Sequence, residues 1–421
     1  MTNSTEQTPE ERLNRLLVDT PITDTHNDFP YVVRIQLHNE IQGPDFDFHK
    51  LNTHTDINKL KKGRLGLQFF SCYIEVKSND PYYQDFNLTS TVVRDTLEQI
   101  DVTKRLMQEY SEDFEFVNSS KEALSAYRTN KKIAVTLGVE GMHQVDTSLA
   151  VIRQYYDLGV RYITLTHNCD NPFATAASSV TGGLPDKGLS EYGVRGVLEM
   201  NRIGMMVDLS HVSYKTMLDV LDVTKAPVIF SHSSAYALTP HERNVRDDVL
   251  LRVKENRGVV QVNFFPAFIT QTKEEDANGR SIATIDDAVD HIFHVASVAG
   301  WECVGFGSDF DGIQYVPEGL EDVTKYPDLI YKCMARGATD EQIQGLIGGN
   351  LLRVWNANEE VSKQMKLAKT PVVEKEWDGR KWTFSSYSKG LGNLYPGADQ
   401  TETYKSNEWV AETGNPFGLK K

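Results

Sequence analysis

The stretch KIAVTLGVEG, residues 132–141, reads as a strand covered on both faces that stops at a carboxylate. Its apolar residues do not alternate with polar ones: Ile133, Ala134, Val135, Leu137 and Val139 run almost without a break up to Glu140. Near-continuous runs of this kind belong to parallel strands packed against other elements on both sides. Seven more segments have the same character: ITDTH (22–26), LGLQFFSCYIEV (65–76), VRYITLTHN (160–168), GMMVDLSHV (204–212), APVIFSHSS (226–234), GVVQVNFFP (258–266) and CVGFGSDFDG (303–312).

Between most of these runs, apolar residues recur at helical spacing. Examples are STVVRDTLEQIDVTKRLMQEY, GLSEYGVRGVLEMNRIG and IDDAVDHIFHVASVAG, and several such segments stop at glycine. Alternating strands and helices imply a mostly parallel sheet, and eight such units imply an α/β (β/α)8 TIM barrel. The barrel core is expected over about 20–365 of the 421 residues, as one catalytic domain. The polar, aromatic, Gly-containing remainder, about 366–421, is expected to be an irregular extension wrapping the barrel.

Bulk composition narrows the function. A formal net charge of −15 argues against a nucleic-acid or anionic-membrane partner, since both need a basic face. No apolar run is long enough to span a membrane. The N-terminal MTNSTEQTPEERLNRLL is not patterned as a secretory leader, and AETGNPFGLKK lacks the tail of a lipid-anchor signal. A cytoplasmic location is therefore expected, with the sequons at Asn3, Asn87 and Asn118 unused. The four cysteines, Cys72, Cys169, Cys303 and Cys333, form no C-x-x-C pair, which argues against a thiolate metal site.

Chemistry collects where the strand runs end. His26 and Asp28 follow the first, Glu140 the third, His167 the fourth, His211 the fifth, His232 the sixth and Asp309 the eighth. Barrel enzymes build their active sites at this C-terminal rim. Each residue also has an ordinary structural reading: a strand-end histidine held by hydrogen bonds, Glu140 capping a helix, Asp309 or Asp311 as N-caps. Those readings must all hold at once along one rim, whereas a single metal centre accounts for them together. Imidazole and carboxylate without thiolate suit Zn²⁺, and also Mn²⁺, Co²⁺ or Fe²⁺. Three histidines with two carboxylates exceed the set that one tetrahedral catalytic zinc takes. They suffice for two ions if Glu140 bridges, and such a pair can hold a hydroxide and polarise a carbonyl, which is hydrolytic chemistry.

The segments DTHNDFP, GVEGMHQ, LTHNCDNPFA, VDLSHVS, FSHSSAYAL, RNVRDD, VQVNFF and GFGSDFDG, in this order, resemble the renal or membrane dipeptidases. These are binuclear zinc peptidases among the amidohydrolase-like, metallo-dependent hydrolase barrels. The resemblance covers nearly the whole barrel. It implies that His26 and Asp28 bind one Zn, His211 and His232 a second, and that Glu140 bridges the two. It further implies that His167 contacts substrate and stabilises the oxyanion, that Arg243 binds the substrate's terminal carboxylate, and that Asp309 transfers protons and faces the amino group. The implied activity is hydrolysis of dipeptides through a metal-bridging hydroxide, by a homodimer. These assignments make chemical sense: a guanidinium can grip a carboxylate in bidentate fashion, and an aspartate can relay a proton from water to the leaving amine.

The chain departs from the family at three points. Arg246 replaces a common proline and would either add positive charge near the pocket or face solvent. Where a tyrosine often stands, the chain has FFPAFI, so that Phe265 or Phe268 would line the pocket without a hydroxyl. Cys169 lies as in secreted relatives, but a bridge to Cys72 is not expected in a reducing compartment. Two other functions compete: a related binuclear barrel acting on a lactam, a cyclic amide or a Cys-Gly conjugate, and a non-catalytic barrel. Many related barrels bridge their metals with a carboxylated lysine, and the carboxylate of Glu140 favours the dipeptidase branch.

Overall fold

The structure, a computed structural model, describes residues 7–44, 46–76, 85–86, 90–272, 274–386 and 408–410. Among them the eight sequence runs become eight parallel strands: β1 (Ile22–Asn27), β2 (Leu65–Cys72), β3 (Ile133–Glu140), β4 (Val160–Thr164), β5 (Met206–Asp208), β6 (Ile229–Phe230), β7 (Val259–Val262) and β8 (Val304–Phe306). They pair in chain order. A further short strand, Phe114–Phe116, pairs beside the path with the start of β3. The barrel closes where β8 returns to β1: the Asp309 amide donates to the His26 carbonyl at 3.1 Å and the Asp28 amide to the Phe310 carbonyl at 2.9 Å. This seam is reinforced by Asp24, which accepts from the Ser308 amide at 2.9 Å, the Ser308 hydroxyl at 2.7 Å and the Tyr326 hydroxyl at 2.6 Å.

The reason for the unbroken apolar runs is visible in the packing. One set of strand side chains packs outward against the helices. The other gathers Leu67, Phe69, Ala134, Tyr162, Met206, Ile229 and Val259 with Trp355 of the final helix, Asn350–Leu367. Both faces exclude water, so most side chains on either face are apolar, and a buried polar one such as Asp24 is held by hydrogen bonds. Gly138 interrupts β3 for a steric reason: a β-carbon there would stand 2.0 Å from the Tyr162 ring. The expected helices form over Val92–Glu109, Leu149–Asp157, Glu191–Ile203, Tyr214–Val223, Asp247–Asn256 and Ile285–Ala299.

Beyond the final helix, the Val373 amide donates to Glu199 at 3.3 Å, and Val373 and Trp377 pack on the core. Thr383–Ser385 then pairs in parallel with Glu408–Val410. Residues 387–407 and 411–421 of the expected extension, and the sequons at Asn3 and Asn87, lie outside the described residues. No helix among the described residues is long and apolar enough to cross a membrane. None of the four cysteines, all buried, is joined in a disulfide.

Candidate metal centre

Three imidazoles converge on one carboxylate oxygen at the C-terminal rim. Glu140 Oε1 lies 3.5 Å from His26 Nε2, 2.9 Å from His211 Nε2 and 3.3 Å from His232 Nε2. Asp28 Oδ2 is 3.2 Å from His26 Nε2, and the Nε2 atoms of His211 and His232 are 3.0 Å apart. All five residues are buried. They form two overlapping donor groups, His26–Asp28–Glu140 and Glu140–His211–His232, with Asp309 close enough to join His26 and His232.

The local backbone is built to present these groups. Gly141 at φ 105° turns the chain sharply as soon as Glu140 has been delivered. His211 and Asp309, neither of them glycine, both adopt φ 64°. Left-handed backbone costs such residues about 1–2 kcal/mol. At His211 the conformation is held by its carbonyl, which accepts from the Ala177 amide at 2.8 Å and the Thr166 hydroxyl at 3.1 Å.

Hydrogen bonds on the far side of each ring fix the tautomer. Tyr162 donates its hydroxyl to the Thr25 carbonyl at 3.0 Å, so its oxygen accepts from His26 Nδ1 at 2.9 Å. Ser231 donates to Asp208 Oδ2 at 2.6 Å and accepts from His232 Nδ1 at 2.9 Å. Asn168 Oδ1 accepts from His211 Nδ1 at 3.2 Å. Each ring therefore keeps a proton on Nδ1 and turns Nε2 inward, the arrangement that orients histidine ligands in metal sites.

Donor atoms brought this close repel unless a proton or a metal cation lies among them. His26 Nε2 and Asp28 Oδ1 are buried without a hydrogen-bond partner, a costly state for polar atoms. Buried nitrogen and carboxylate donors without thiolate fit divalent cations such as zinc. The residues present therefore fit a metal centre.

Beside the cluster opens a cavity of about 690 Å³. His167 and Asp309 line it, and so does Arg243, whose Nε and Nη1 are buried without partners. Burial lowers the Arg243 pKa to about 10, although Asp309 and Glu140 oppose the shift. Burial likewise pushes His167 well below the usual histidine range, with the nearby His143 and the Arg243 cation adding to it, so its ring is neutral. Asp309 is raised to about 6 by burial, partly offset by His26. Its Oδ2 accepts from Asn263 Nδ2 at 2.9 Å. All eight residues singled out in the sequence thus meet at one site.

The sequence did not single out Tyr162, Asp208, Ser231, Asn168 or Asn263, which hold His26, His232, His211 and Asp309 in place. Asn263 follows β7, which like β2 ends in no residue that the sequence marked as a ligand or proton carrier. Phe265 and Phe268 both line the cavity, while Tyr31 and Tyr73 bring hydroxyl-bearing rings to it. Arg246 follows neither expectation fully: it stacks on Tyr236 at 4.1 Å and Tyr214 at 4.8 Å and pairs with Glu242 at 2.9 Å, apart from the cavity lining.

Comparison with known proteins agrees with this geometry. Residues 10–369 match the family described as membrane dipeptidase (peptidase family M19). The chain is 60% identical over 416 residues to an uncharacterized dipeptidase of Schizosaccharomyces pombe (strain 972 / ATCC 24843), covering 98% of this chain and 97% of that one. Its fold is similar to that of the probable dipeptidase PvdM from Pseudomonas aeruginosa, with TM-score 0.71, 20% identity, and coverage of 84% of this chain and 98% of that one. It is also similar to a metallo peptidase from Rhodobacter sphaeroides liganded with a phosphinate mimic of the dipeptide L-Ala-D-Ala. There the TM-score is 0.68 at 24% identity, covering 81% of this chain and 100% of that one.

Proposed function

Because the chain belongs to the membrane dipeptidase family, peptidase family M19, we propose that it is a zinc-dependent dipeptidase acting on dipeptides with a free C-terminal carboxylate. The observation that carries this reading is the pairing of two features in one cavity. One is a nitrogen and carboxylate cluster with unpartnered inward donors, and the other is a buried guanidinium with unpartnered N–H groups.

In this reading His26 and Asp28 would hold one cation, His211 and His232 would hold a second, and Glu140 would serve both. A pair of divalent cations polarises an amide carbonyl and lowers the pKa of water. The chain's own residues do the rest. Arg243 receives the terminal carboxylate, which satisfies its unpartnered donors and fixes the amide relative to the cluster. His167, neutral and therefore still carrying an N–H, donates to the carbonyl oxygen as negative charge develops there. Asp309 has Oδ2 committed to Asn263, which leaves Oδ1 to take a proton from the attacking water and deliver it to the leaving nitrogen. The same carboxylate faces the substrate's ammonium group.

A panel of dipeptides, N-blocked dipeptides and tripeptides, assayed with zinc and after chelation, tests the proposal. Zinc-dependent cleavage confined largely to free dipeptides is expected. Failure of the zinc-loaded protein across the panel would overturn it.

A further inference from the structure

An amino acid's carboxylate and side chain leave the same α-carbon, so a residue whose carboxylate sits at Arg243 brings its side chain within reach of the walls that adjoin Arg243. The wall on the side away from Glu140 and Asp309 is aromatic. The Arg243 guanidinium lies 5.3 Å from the Phe268 ring centroid. The His241 ring stands 4.6 Å from the same ring, and Phe265 meets it edge-on at 5.0 Å. Tyr315 extends the surface, 5.0 Å from Phe265. Phe265, Phe268 and His241 all line the cavity and are only half-buried, so apolar ring surface faces it.

His241 belongs to this wall as a flat neutral ring. Its Nδ1 accepts from the Arg243 amide at 3.1 Å, which fixes the ring and leaves the proton on Nε2. Burial and the Arg243 cation lower its pKa further from the charged form. Phe265, Phe268 and His241 carry no charge themselves, and the Arg280 guanidinium stacks only on the outer ring, Tyr315, at 5.4 Å. A glycine at the C-terminal position would leave the rings bare, a charged side chain would be desolvated against them, and an aromatic one would cover them.

We propose that Phe265, Phe268 and His241 form the subsite for the side chain of the substrate's C-terminal residue, and that it selects aromatic and large apolar side chains there. The inference rests on the dipeptidase reading and on Arg243 as the carboxylate site. It goes beyond them by assigning the specificity to a named wall.

The test is the ratio of kcat/KM for L-Ala-L-Phe to that for L-Ala-Gly, measured on the zinc-loaded wild-type chain and on Phe268→Ala, Phe268→Leu and His241→Ala. A buried apolar group distinguishes substrates by about 10–200-fold, so a wild-type ratio of about ten or more is expected. Phe268→Ala should lower the ratio about tenfold, with Phe268→Leu in between, as apolar contact is removed in steps. A variant that merely distorts the site lowers both rates together and leaves the ratio intact, and that outcome overturns the subsite. So does a wild-type ratio near one. Absence of cleavage of either dipeptide by the wild-type chain overturns the dipeptidase reading itself and the subsite with it.

Discussion

Glu140 Oε1 lies 2.9 Å from Nε2 of His211, and this contact joins the third strand of the barrel to the fifth through the centre of the rim. The same oxygen stands 3.5 Å from His26 Nε2 on the first strand. In the proposed function a carboxylate reached from both sides would neutralise and connect two cations. Glu140→Gln keeps the shape and removes the charge. We predict that it lowers both cation content and dipeptide kcat/KM by at least about 100-fold, more than the loss of an outer hydrogen-bond partner would. Metal analysis and kinetics on one preparation check this, and activity within tenfold of wild type would refute it.

The hydrogen bonds behind the ligands make a graded prediction. Ser231 passes the proton-accepting character of Asp208 to His232. Removing such a partner costs about 10–100-fold in metal affinity, so Ser231→Ala should weaken cation binding by that amount while leaving the barrel folded. Competition against a chelator of known affinity measures it. Unchanged affinity would mean that the Ser231 bond does not orient the ligand.

Arg243 is expected to act on one end of the substrate only. Leaving one member of a buried charge pair without its partner costs about 2–5 kcal/mol, so Arg243→Ala should raise KM for dipeptides by about 30-fold or more. The matching dipeptide amides, which lack the carboxylate, should be affected far less. Equal losses on both substrates would contradict the assignment.

Cation binding should also release protons. Burial opposes the charged form of His26, yet the carboxylates of Asp28 and Glu140 outweigh it and raise its pKa to about 10. Burial raises Glu140 well above the ordinary glutamate range. Without cations the cluster therefore holds a proton at neutral pH that the metal must displace, and affinity should fall as pH falls. Calorimetric titration of zinc into chelated protein, in two buffers of different ionisation enthalpy, should give a net release of about one proton at pH 8. Binding with no buffer dependence would contradict it.

The parts of this account that were legible in the sequence share a physical origin. Strands such as Ile133–Glu140 are enclosed on both faces, so their composition announces them, and the residues that follow announce the rim. Glu140, His211 and Asp309 stood out because histidine and carboxylate residues at the ends of such runs have ligand chemistry that the serines and asparagines around them lack. The outer partners did not stand out. Tyr162 looks like any strand aromatic until Gly138, on the neighbouring strand, is seen to make room for its ring beside His26. Ser231 and Asn168 are common loop residues whose roles depend on which nitrogen of a distant histidine they face. The strand Phe114–Phe116 is too short for a pattern, and Arg246 stacks on Tyr214 and Tyr236 for reasons of tertiary placement that spacing does not encode.

The central claim is that two cations held by one bridged cluster carry out dipeptide hydrolysis. The most direct measurement titrates zinc into chelated protein and follows bound metal per chain together with L-Ala-Gly cleavage. The account predicts that activity is absent without metal, rises with occupancy and reaches its plateau at about two ions per chain. Full activity in the chelated protein, or a plateau of metal binding with no dipeptide cleavage at all, would contradict it.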